Sequence, residues 1–215
     1  MKLSLKQQHE IAVANRLIKN LALPATFIRA GDHTKNEPDV IYSYRNAHCL
    51  GSDRQHLGCL RMSNFFNNRI LFFFRWLQRG LLGVEVATAY TDDKEATQEW
   101  KLARGEIKVP HGTLVPIWGG TEPDKKMCAC IQREIDEKCA RKAYSGVDRV
   151  WLCVEQIPGI SSDSDAVLEC VKQLSVPTGH GFEKIFLHYL SPLFEDNEWH
   201  SIELWPEQPQ MGCRR

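Results

Sequence analysis

The sequence has no excess of charge of either sign: its 215 residues include 27 Lys and Arg and 27 Asp and Glu, so the formal net charge is zero. A protein that binds nucleic acid through a general positive field carries a surplus of basic residues. Contact with nucleic acid would therefore require a local basic patch.

The chain also lacks a long apolar segment. Its most apolar run, Ile70 to Leu77, contains Arg75 and is far shorter than the roughly 20 residues that cross a bilayer. The first residues, MKLSLKQQHE, lack the apolar centre of a secretory signal. We therefore expect a cytoplasmic protein with no membrane partner, in which the eight scattered cysteines are free thiols.

Several catalytic signatures are absent: a Gly-rich phosphate loop, a Ser nucleophile elbow and an HExxH motif. A zinc site built from His48, Cys49, His56 and Cys59 is disfavoured, because these residues form neither a C-x₂-C nor an H-x₃-H pair. An α/β enzyme that uses a Cys-His pair is disfavoured as well, since no two positions suggest one. The acids are the remaining candidates.

Hydrophobic periodicity and turn residues predict a mixed sheet flanked by helices on both faces, α/β or α+β. The chain is expected to form one domain over residues 1–205, with an insertion near 44–80 and a polar tail at 206–215. The predicted helices are 4–21, 94–104, 124–144 and 162–174, and the predicted strands are 25–29, 37–44, 81–90, 148–156, 183–189 and an edge strand at 199–205, with a further short strand at 115–118.

The insertion has no clean period, and its second half interleaves aromatic residues with Arg69, Arg75 and Arg79. Basic residues among aromatic ones could stack on nucleic-acid bases. The favoured alternative is an inserted helix or long hairpin that covers the core, because a structureless loop of this length is unusual in a compact domain.

Two acids stand at informative positions. Glu85 interrupts the apolar strand LLGVEVATAY, where a buried carboxylate would need a partner or a metal, although an edge strand with Glu85 facing solvent is equally consistent. Asp39 follows Pro38 at the start of another strand. If these strands are neighbours, the two carboxylates meet near one end of the sheet and form an oxygen site suited to Mg²⁺.

Two helical residues could join these acids. Lys138 lies seven residues after Ile131, which turns it toward the buried side of its helix. Glu10 adjoins the apolar face of the first helix, where a solvated side chain is the more common arrangement. A lysine beside the two acids would steady an attacking water or the charge on a phosphate.

The segments EPDVIY and LGVEVATAY resemble the PD-(D/E)XK nuclease-like superfamily, which has the restriction-endonuclease-like fold. In that superfamily a helix that often carries a Glu comes first, an Asp after Pro starts the second core strand, and an acid-x-Lys lies in the third. Pro38-Asp39 and Glu85 match, whereas Ala87 stands at the Lys position. Some members carry the Lys on the following helix, where Lys138 is the candidate. The resemblance covers about residues 5–43 and 80–156.

The resemblance implies an Mg²⁺- or Mn²⁺-dependent nuclease acting on DNA or RNA, with Asp39 and Glu85 as metal ligands. Lys138 would replace the motif lysine, and Glu10 and Gln132 are further candidates for the site. The alternative is a catalytically inactive nuclease-fold module that binds nucleic acid or protein. Ala87 and the zero net charge favour this alternative.

Overall fold

A computed structural model of the chain describes residues 3–45, 79–90, 101, 106, 123–141, 143–156, 164–190 and 199–206. Within these residues, six strands form one mixed sheet and three α-helices pack on it, which confirms the predicted fold class. The elements are α1 (Leu5–Asn20), β1 (Ala25–Ala30), β2 (Val40–Arg45), β3 (Arg79–Ala89), α2 (Pro123–Cys139), β4 (Arg149–Gln156), α3 (Ser164–Gln173), β5 (Lys184–Leu190) and β6 (Trp199–Trp205).

The strands lie in the sheet in the order in which they occur in the chain. β2 pairs antiparallel with both β1 and β3, β4 pairs parallel with both β3 and β5, and β6 pairs antiparallel with β5. Parallel neighbours need a long crossover, and α2 and α3 lie in the two crossovers between the parallel strands. β6 forms an edge, as the sequence predicts.

The two faces of the sheet are covered by different helices. Because side chains alternate along a strand, Val84 and Val86 face α1, whereas Ala87 and Ala89 face α2 and α3. The α1 layer buries Val13, Ala14, Leu17 and Ile18, and the opposite layer buries Met127, Ile131, Ile135, Val167 and Cys170. None of the helices in the described part of the chain has the length and apolar character needed to cross a membrane.

The start of α1 is fixed by a capping box, as Ser4 predicts. The Ser4 hydroxyl accepts a hydrogen bond from the backbone N–H of Gln7 at 3.1 Å, and the Gln7 side chain accepts one from the backbone N–H of Ser4 at 3.0 Å. Both interactions satisfy N–H groups that a helix start leaves without partners. They fix the first turn of the helix that carries Glu10.

β2 begins at Val40, three residues later than predicted, because Glu37 belongs to the preceding loop. The Glu37 carboxylate accepts two hydrogen bonds from Arg29, at 2.5 and 2.9 Å, and one from the backbone N–H of Asp32 at 2.9 Å. These bonds close the loop on itself immediately before Asp39.

α2 ends at Cys139, five residues before the predicted end at Tyr144. After the helix, the Asn36 side chain donates to the carbonyl of Ala143 at 2.7 Å, and the backbone N–H of Ser145 donates to the carbonyl of Asn36 at 3.0 Å. The next residue, Gly146, has a φ of +74°, a conformation that glycine adopts without steric cost. The end of α2 is thereby attached to the loop that precedes β2.

The insertion is connected to the sheet at neighbouring strand ends. Arg45 at the end of β2 is the register partner of Arg79 at the start of β3. Most of the insertion, with the residues considered for zinc, lies outside the described residues. So do the strand predicted at 115–118, the polar tail after Pro206 and, apart from Lys101, the helix predicted at 94–104.

One expectation about the cysteines is wrong. Cys128 of α2 and Cys170 of α3 form a disulfide, with Cα atoms 5.4 Å apart, although free thiols were predicted throughout. The two helices lie side by side on the same face of the sheet, which brings residues 42 positions apart into bonding range. Cys139 and Cys153 are buried free thiols.

Candidate active site

The side chain of Asp39 continues the hydrogen bonding between β2 and β3 beyond the first residue of β2. Val40 pairs with Val84, and no residue before Val40 belongs to the strand. The backbone N–H of Val86, two residues further along β3, donates a 2.8 Å hydrogen bond to Oδ2 of Asp39. The two strands are therefore neighbours, and Asp39 is held against the segment of β3 that contains Glu85.

Glu85 is 2% exposed and lies in the interior strand β3, so the interpretation of a solvent-facing acid on an edge strand is wrong. Lys138, in the last turn of α2, donates a hydrogen bond from Nζ to Oε1 of Glu85. The more exposed Arg141 reaches the same oxygen with Nη1 at 3.4 Å. The helical spacing that turned Lys138 inward therefore brings it to this acid.

Glu10 is buried, although a solvated side chain was expected. Its residue is 4% exposed, and Oε1 lies 3.4 Å from Nζ of Lys6, a side chain that is itself 68% exposed. Oε2 is also buried, and among the described residues no donor bonds to it. Burial raises the pKa of Glu10, Lys6 opposes this rise, and the negative charge of Glu85 adds to it. A carboxylate oxygen of Glu10 lies within 4.8 Å of one of Asp39, so α1 brings Glu10 to the other acids.

Asp39 is the acid most affected by this crowding. Burial, followed by the negative charges of Glu85 and Glu10, raises the pKa of Asp39 from 3.8 to about 7. The positive charge of Lys138 and the hydrogen bond from Val86 act in the opposite direction. Three buried carboxylates thus share one region in which Lys138 is the most deeply buried cation, and such a donor set fits a divalent cation.

His33, which the sequence did not single out, lies over Asp39. Its Nε2 is 3.6 Å from Oδ1 of Asp39, and its side chain is 56% exposed. His33 begins a short 3₁₀ turn, His33–Lys35, that is capped by Asp32, whose Oδ1 accepts from the backbone N–H of Thr34 at 3.1 Å. A histidine in a polar loop has no periodic signal, so only its position six residues before Asp39 could have pointed to it.

The loop that carries His33 is packed too closely to accept a side chain at Gly31. A Cβ on Gly31 would lie 1.7 Å from the carbonyl oxygen of Pro38, a backbone atom that cannot rotate away. The backbone N–H of Gly31 also donates to the carbonyl of Asp39 at 2.8 Å. The two ends of the loop are thereby joined directly beside the candidate site.

Gln132 is not brought to the acids. Its side chain donates to Oδ1 of Asp136 and to the carbonyl of Ser175, both at 2.8 Å, and accepts from the backbone N–H of Ser175 at 2.8 Å. It therefore connects α2 to the residues that follow α3. Its predicted place in the site is not supported by these contacts.

Tyr144 is a further neighbour that the sequence did not indicate. Burial raises the pKa of its phenol, and the negative charge of Glu85 raises it further. The ring packs on Phe182 with centroids 5.6 Å apart. Both burial and the charge of Glu85 therefore keep the Tyr144 phenol protonated.

Another buried acid, Glu155, is more closely surrounded by cationic and imidazole groups. Glu155 in β4 is 3% exposed; Nη2 of Arg16 is 2.6 Å from its Oε1, and Nε2 of His9 is 2.8 Å from its Oε2. Each of its oxygens therefore has a nearby cationic or imidazole group. Among the described residues, the ion-pair partner of Glu10 is the exposed Lys6, whose Nζ lies 3.4 Å from Oε1, so the charge of Glu10 is less closely compensated than that of Glu155.

The arrangement can bind a divalent cation through carboxylate oxygens and can donate hydrogen bonds from an ammonium group to an anion beside it. Glu10, Asp39, Glu85 and Lys138, four of the five predicted site residues, are brought together. In comparisons with known proteins, the chain matches no protein-family model, no curated protein and no solved structure.

Proposed function

We propose that the chain is a metal-dependent phosphodiester hydrolase that cleaves DNA or RNA. The observation that carries the proposal is the meeting of Asp39, Glu85 and Lys138 from three different elements, with Lys138 hydrogen-bonded to Glu85. An acid pair with an adjacent lysine is the combination that the superfamily resemblance implies. The lysine comes from α2, since Ala87 occupies its usual place in β3.

The order of the elements supports the same proposal. The resemblance implies a first helix with a Glu, an Asp at the start of the second strand and an acid in the third. Here Glu10 lies in α1, Asp39 precedes β2 and Glu85 lies in β3. The agreement includes Glu10, whose buried position ordinary helix patterning disfavours.

In this proposal Asp39 and Glu85 hold Mg²⁺ or Mn²⁺, and Glu10 adds negative charge beside them. The bound cation would supply a Lewis acid for water activation and for charge on the phosphate. An ammonium has three N–H donors, so Lys138 can bond to Glu85 and to a phosphate oxygen or the attacking water at the same time. Its positive charge opposes the negative charge that develops on the phosphate in the transition state.

Arg141 is placed to contact the substrate at the surface. Its guanidinium is 56% exposed and lies 3.4 Å from Glu85, so it can approach a phosphate without being withdrawn from a buried environment. Guanidinium groups bind phosphate through paired N–H donors. This gives the zero-net-charge chain a local basic contact beside the acids.

The second candidate function is a nuclease-fold module without catalysis. One specific contact favours it: Lys138 and Glu85 already form a buried ion pair, which is complete without a substrate or metal. In such a module the pair would be purely structural, and Arg141 would serve binding alone.

Hydrolysis assays distinguish the two functions. Single- and double-stranded DNA and RNA are incubated with the wild-type chain in Mg²⁺, in Mn²⁺ and in EDTA. Cleavage that requires metal and is lost in Glu85→Gln and Lys138→Met supports the hydrolase. Lys172→Met is the matched control, because it removes an exposed lysine whose ion-pair partner is Glu169 of the same helix, α3, and not an acid of the candidate site.

Lys138→Arg keeps the test informative if Lys138→Met folds poorly, because it retains the positive charge opposite Glu85. If wild type and Lys138→Arg both bind nucleic acid but neither cleaves it in Mg²⁺ or in Mn²⁺, the result would contradict the hydrolase and support the non-catalytic module.

A further inference from the structure

We propose that Glu10, His33 and Asp39 form a cation site that binds a first-row transition metal such as Mn²⁺ in preference to Mg²⁺. The inference deepens the proposed function and rests on it in part, since Asp39 belongs to both. It adds an imidazole ligand from the loop before β2 and assigns a metal preference to the site.

The geometry of the three donors carries the proposal. One ligand atom from each of Glu10, His33 and Asp39 lies within 4.8 Å of the others, and Nε2 of His33 is 3.6 Å from Oδ1 of Asp39. Donors that share one ion at about 2.1 Å lie no more than about 4.2 Å apart. The distance between His33 and Asp39 already meets this limit, and the 4.8 Å bound on the three donors exceeds it by only about 0.6 Å.

An independent observation comes from Glu10. Oε2 of this 4% exposed residue has no hydrogen-bond partner among the described residues. A buried carboxylate oxygen without a donor is costly, and a bound cation removes that cost. Elsewhere in the fold, both carboxylate oxygens of the buried Glu37 accept hydrogen bonds from Arg29, at 2.5 and 2.9 Å, so the chain can compensate a buried acid with an arginine.

The hydrogen bonding of Asp39 leaves its Oδ1 atom available to bind a cation. Oδ2 is occupied by the backbone N–H of Val86, while Oδ1 is the oxygen nearest His33. Glu85 is engaged by Lys138 on the α2 face of the sheet. The donor set therefore lies on the side of Asp39 that faces α1 and the 3₁₀ turn.

The imidazole decides the metal preference. Mg²⁺ takes oxygen ligands almost exclusively, whereas imidazole nitrogen suits transition metals and carboxylates suit Mn²⁺. A site with two carboxylates and one histidine should therefore discriminate against Mg²⁺. A site made of Asp39 and Glu85 alone would lack this discrimination.

The test measures metal binding in the absence of nucleic acid. The metal-free full-length chain is titrated with Mn²⁺ and separately with Mg²⁺ by calorimetry, and the Mn²⁺ form is examined by pulsed electron paramagnetic resonance. We expect tighter binding of Mn²⁺ than of Mg²⁺, together with a ¹⁴N coupling from one imidazole. His33→Ala should abolish the coupling and weaken Mn²⁺ binding by about tenfold or more, since even outer-shell partners of metal ligands contribute about tenfold.

Matched variants separate ligation from damage to the loop. Lys35→Ala changes the same 3₁₀ turn at a side chain that is 69% exposed, and it should keep both the coupling and the Mn²⁺ affinity. Glu10→Gln should weaken binding of both metals, whereas His33→Ala should change Mg²⁺ affinity by less than Mn²⁺ affinity.

The inference is overturned if the wild-type Mn²⁺ form shows no ¹⁴N coupling, or if His33→Ala binds Mn²⁺ as tightly as wild type. Its failure differs from failure of the proposed function. Histidine-dependent Mn²⁺ binding without cleavage of any nucleic acid would support the site and contradict the hydrolase. If wild type and His33→Ala both cleave nucleic acid and both bind Mn²⁺ and Mg²⁺ with equal affinity, the result would support the hydrolase and contradict the histidine site.

Discussion

Replacing Asp39 by Asn should stabilise the metal-free protein at neutral and higher pH. The change keeps an oxygen that can accept the hydrogen bond from Val86 and removes the charge that Glu10 and Glu85 repel. In the folded state the pKa of Asp39 is about 7 instead of 3.8, and each pH unit corresponds to about 1.4 kcal/mol. Ionising Asp39 in the folded chain therefore costs about 4 kcal/mol, which sets the upper limit of the effect.

The sign of the pH dependence follows from the same pKa. Between about pH 4 and pH 7 the folded state retains a proton that the unfolded state has lost, so wild-type stability falls as the pH rises across this interval. Asp39→Asn has no such proton. The difference in unfolding free energy between variant and wild type should be small at pH 4, should grow through pH 6 and should be constant above about pH 8.

Urea unfolding followed by tryptophan fluorescence in EDTA, at five pH values from 4 to 8, measures this difference. Glu169→Gln is the control, because its carboxylate is 63% exposed and its effect should stay within about 0.5 kcal/mol. Mn²⁺ at a concentration of one hundred times its dissociation constant should raise the unfolding free energy of the wild-type chain by about 2.7 kcal/mol. It should stabilise Asp39→Asn by less, because that variant lacks one of the carboxylates. An Asp39→Asn chain that is less stable than wild type in EDTA at pH 8 would refute the reasoning.

Three further predictions concern stability. Lys138→Met should lower the unfolding free energy by about 3–5 kcal/mol, because it leaves Glu85 buried and without its main cation. The double variant Glu85→Gln with Lys138→Met should recover most of this loss. Equal urea midpoints for Lys138→Met and wild type would show that the ion pair does not stabilise the fold. Gly31→Ala should destabilise the chain and weaken Mn²⁺ binding, whereas Gly181→Ala, whose Cβ would have no neighbour closer than 3.8 Å, should do neither; both are measured by thermal unfolding with and without Mn²⁺. Reducing the Cys128–Cys170 bond should lower the unfolding free energy by about 2–4 kcal/mol, given its separation of 42 residues, and an unchanged urea midpoint in dithiothreitol would contradict this.

The elements of the sheet could be predicted from the sequence because each has a strong local pattern. Strand residues such as Val150 to Val154 form an unbroken apolar run, and α1 has apolar residues at helical spacing behind a Ser cap. Two boundaries failed: the one at Glu37 is set by hydrogen bonds of Glu37 to Arg29 and Asp32 within its own loop, and the end of α2 is accompanied by contacts of the following turn with that loop. The contact between Asn36 and Ala143 joins residues 107 positions apart and leaves no local signal.

The candidate site was accessible to sequence reasoning where periodicity or strand order determined it. Lys138 is seven residues from Ile131 and so lies on the same side of α2, whereas Gln132 precedes Lys138 by six residues and points about 120° away from it. Glu10 was a candidate only through the superfamily resemblance, and its burial was not expected from helix periodicity; His33 was not predicted at all, because the approach of a loop histidine to Asp39 depends on tertiary structure. The disulfide likewise depends on α2 and α3 packing side by side.

The pairing of Arg45 with Arg79 bears on how much the length of the connection between β2 and β3 can change. Asp39 and Glu85 each lie six residues along the chain from this pair, so the connection between the strands starts and ends about 20 Å from the acids. Its two ends are held at the spacing of paired strands whatever lies between them, and doubling the length of a flexible connection costs only about 0.6 kcal/mol of closure entropy. This end of the hairpin can therefore gain or lose whole segments at little thermodynamic cost. A chain with a short turn in place of residues 46–78 should keep Asp39, Glu85 and Lys138 in register.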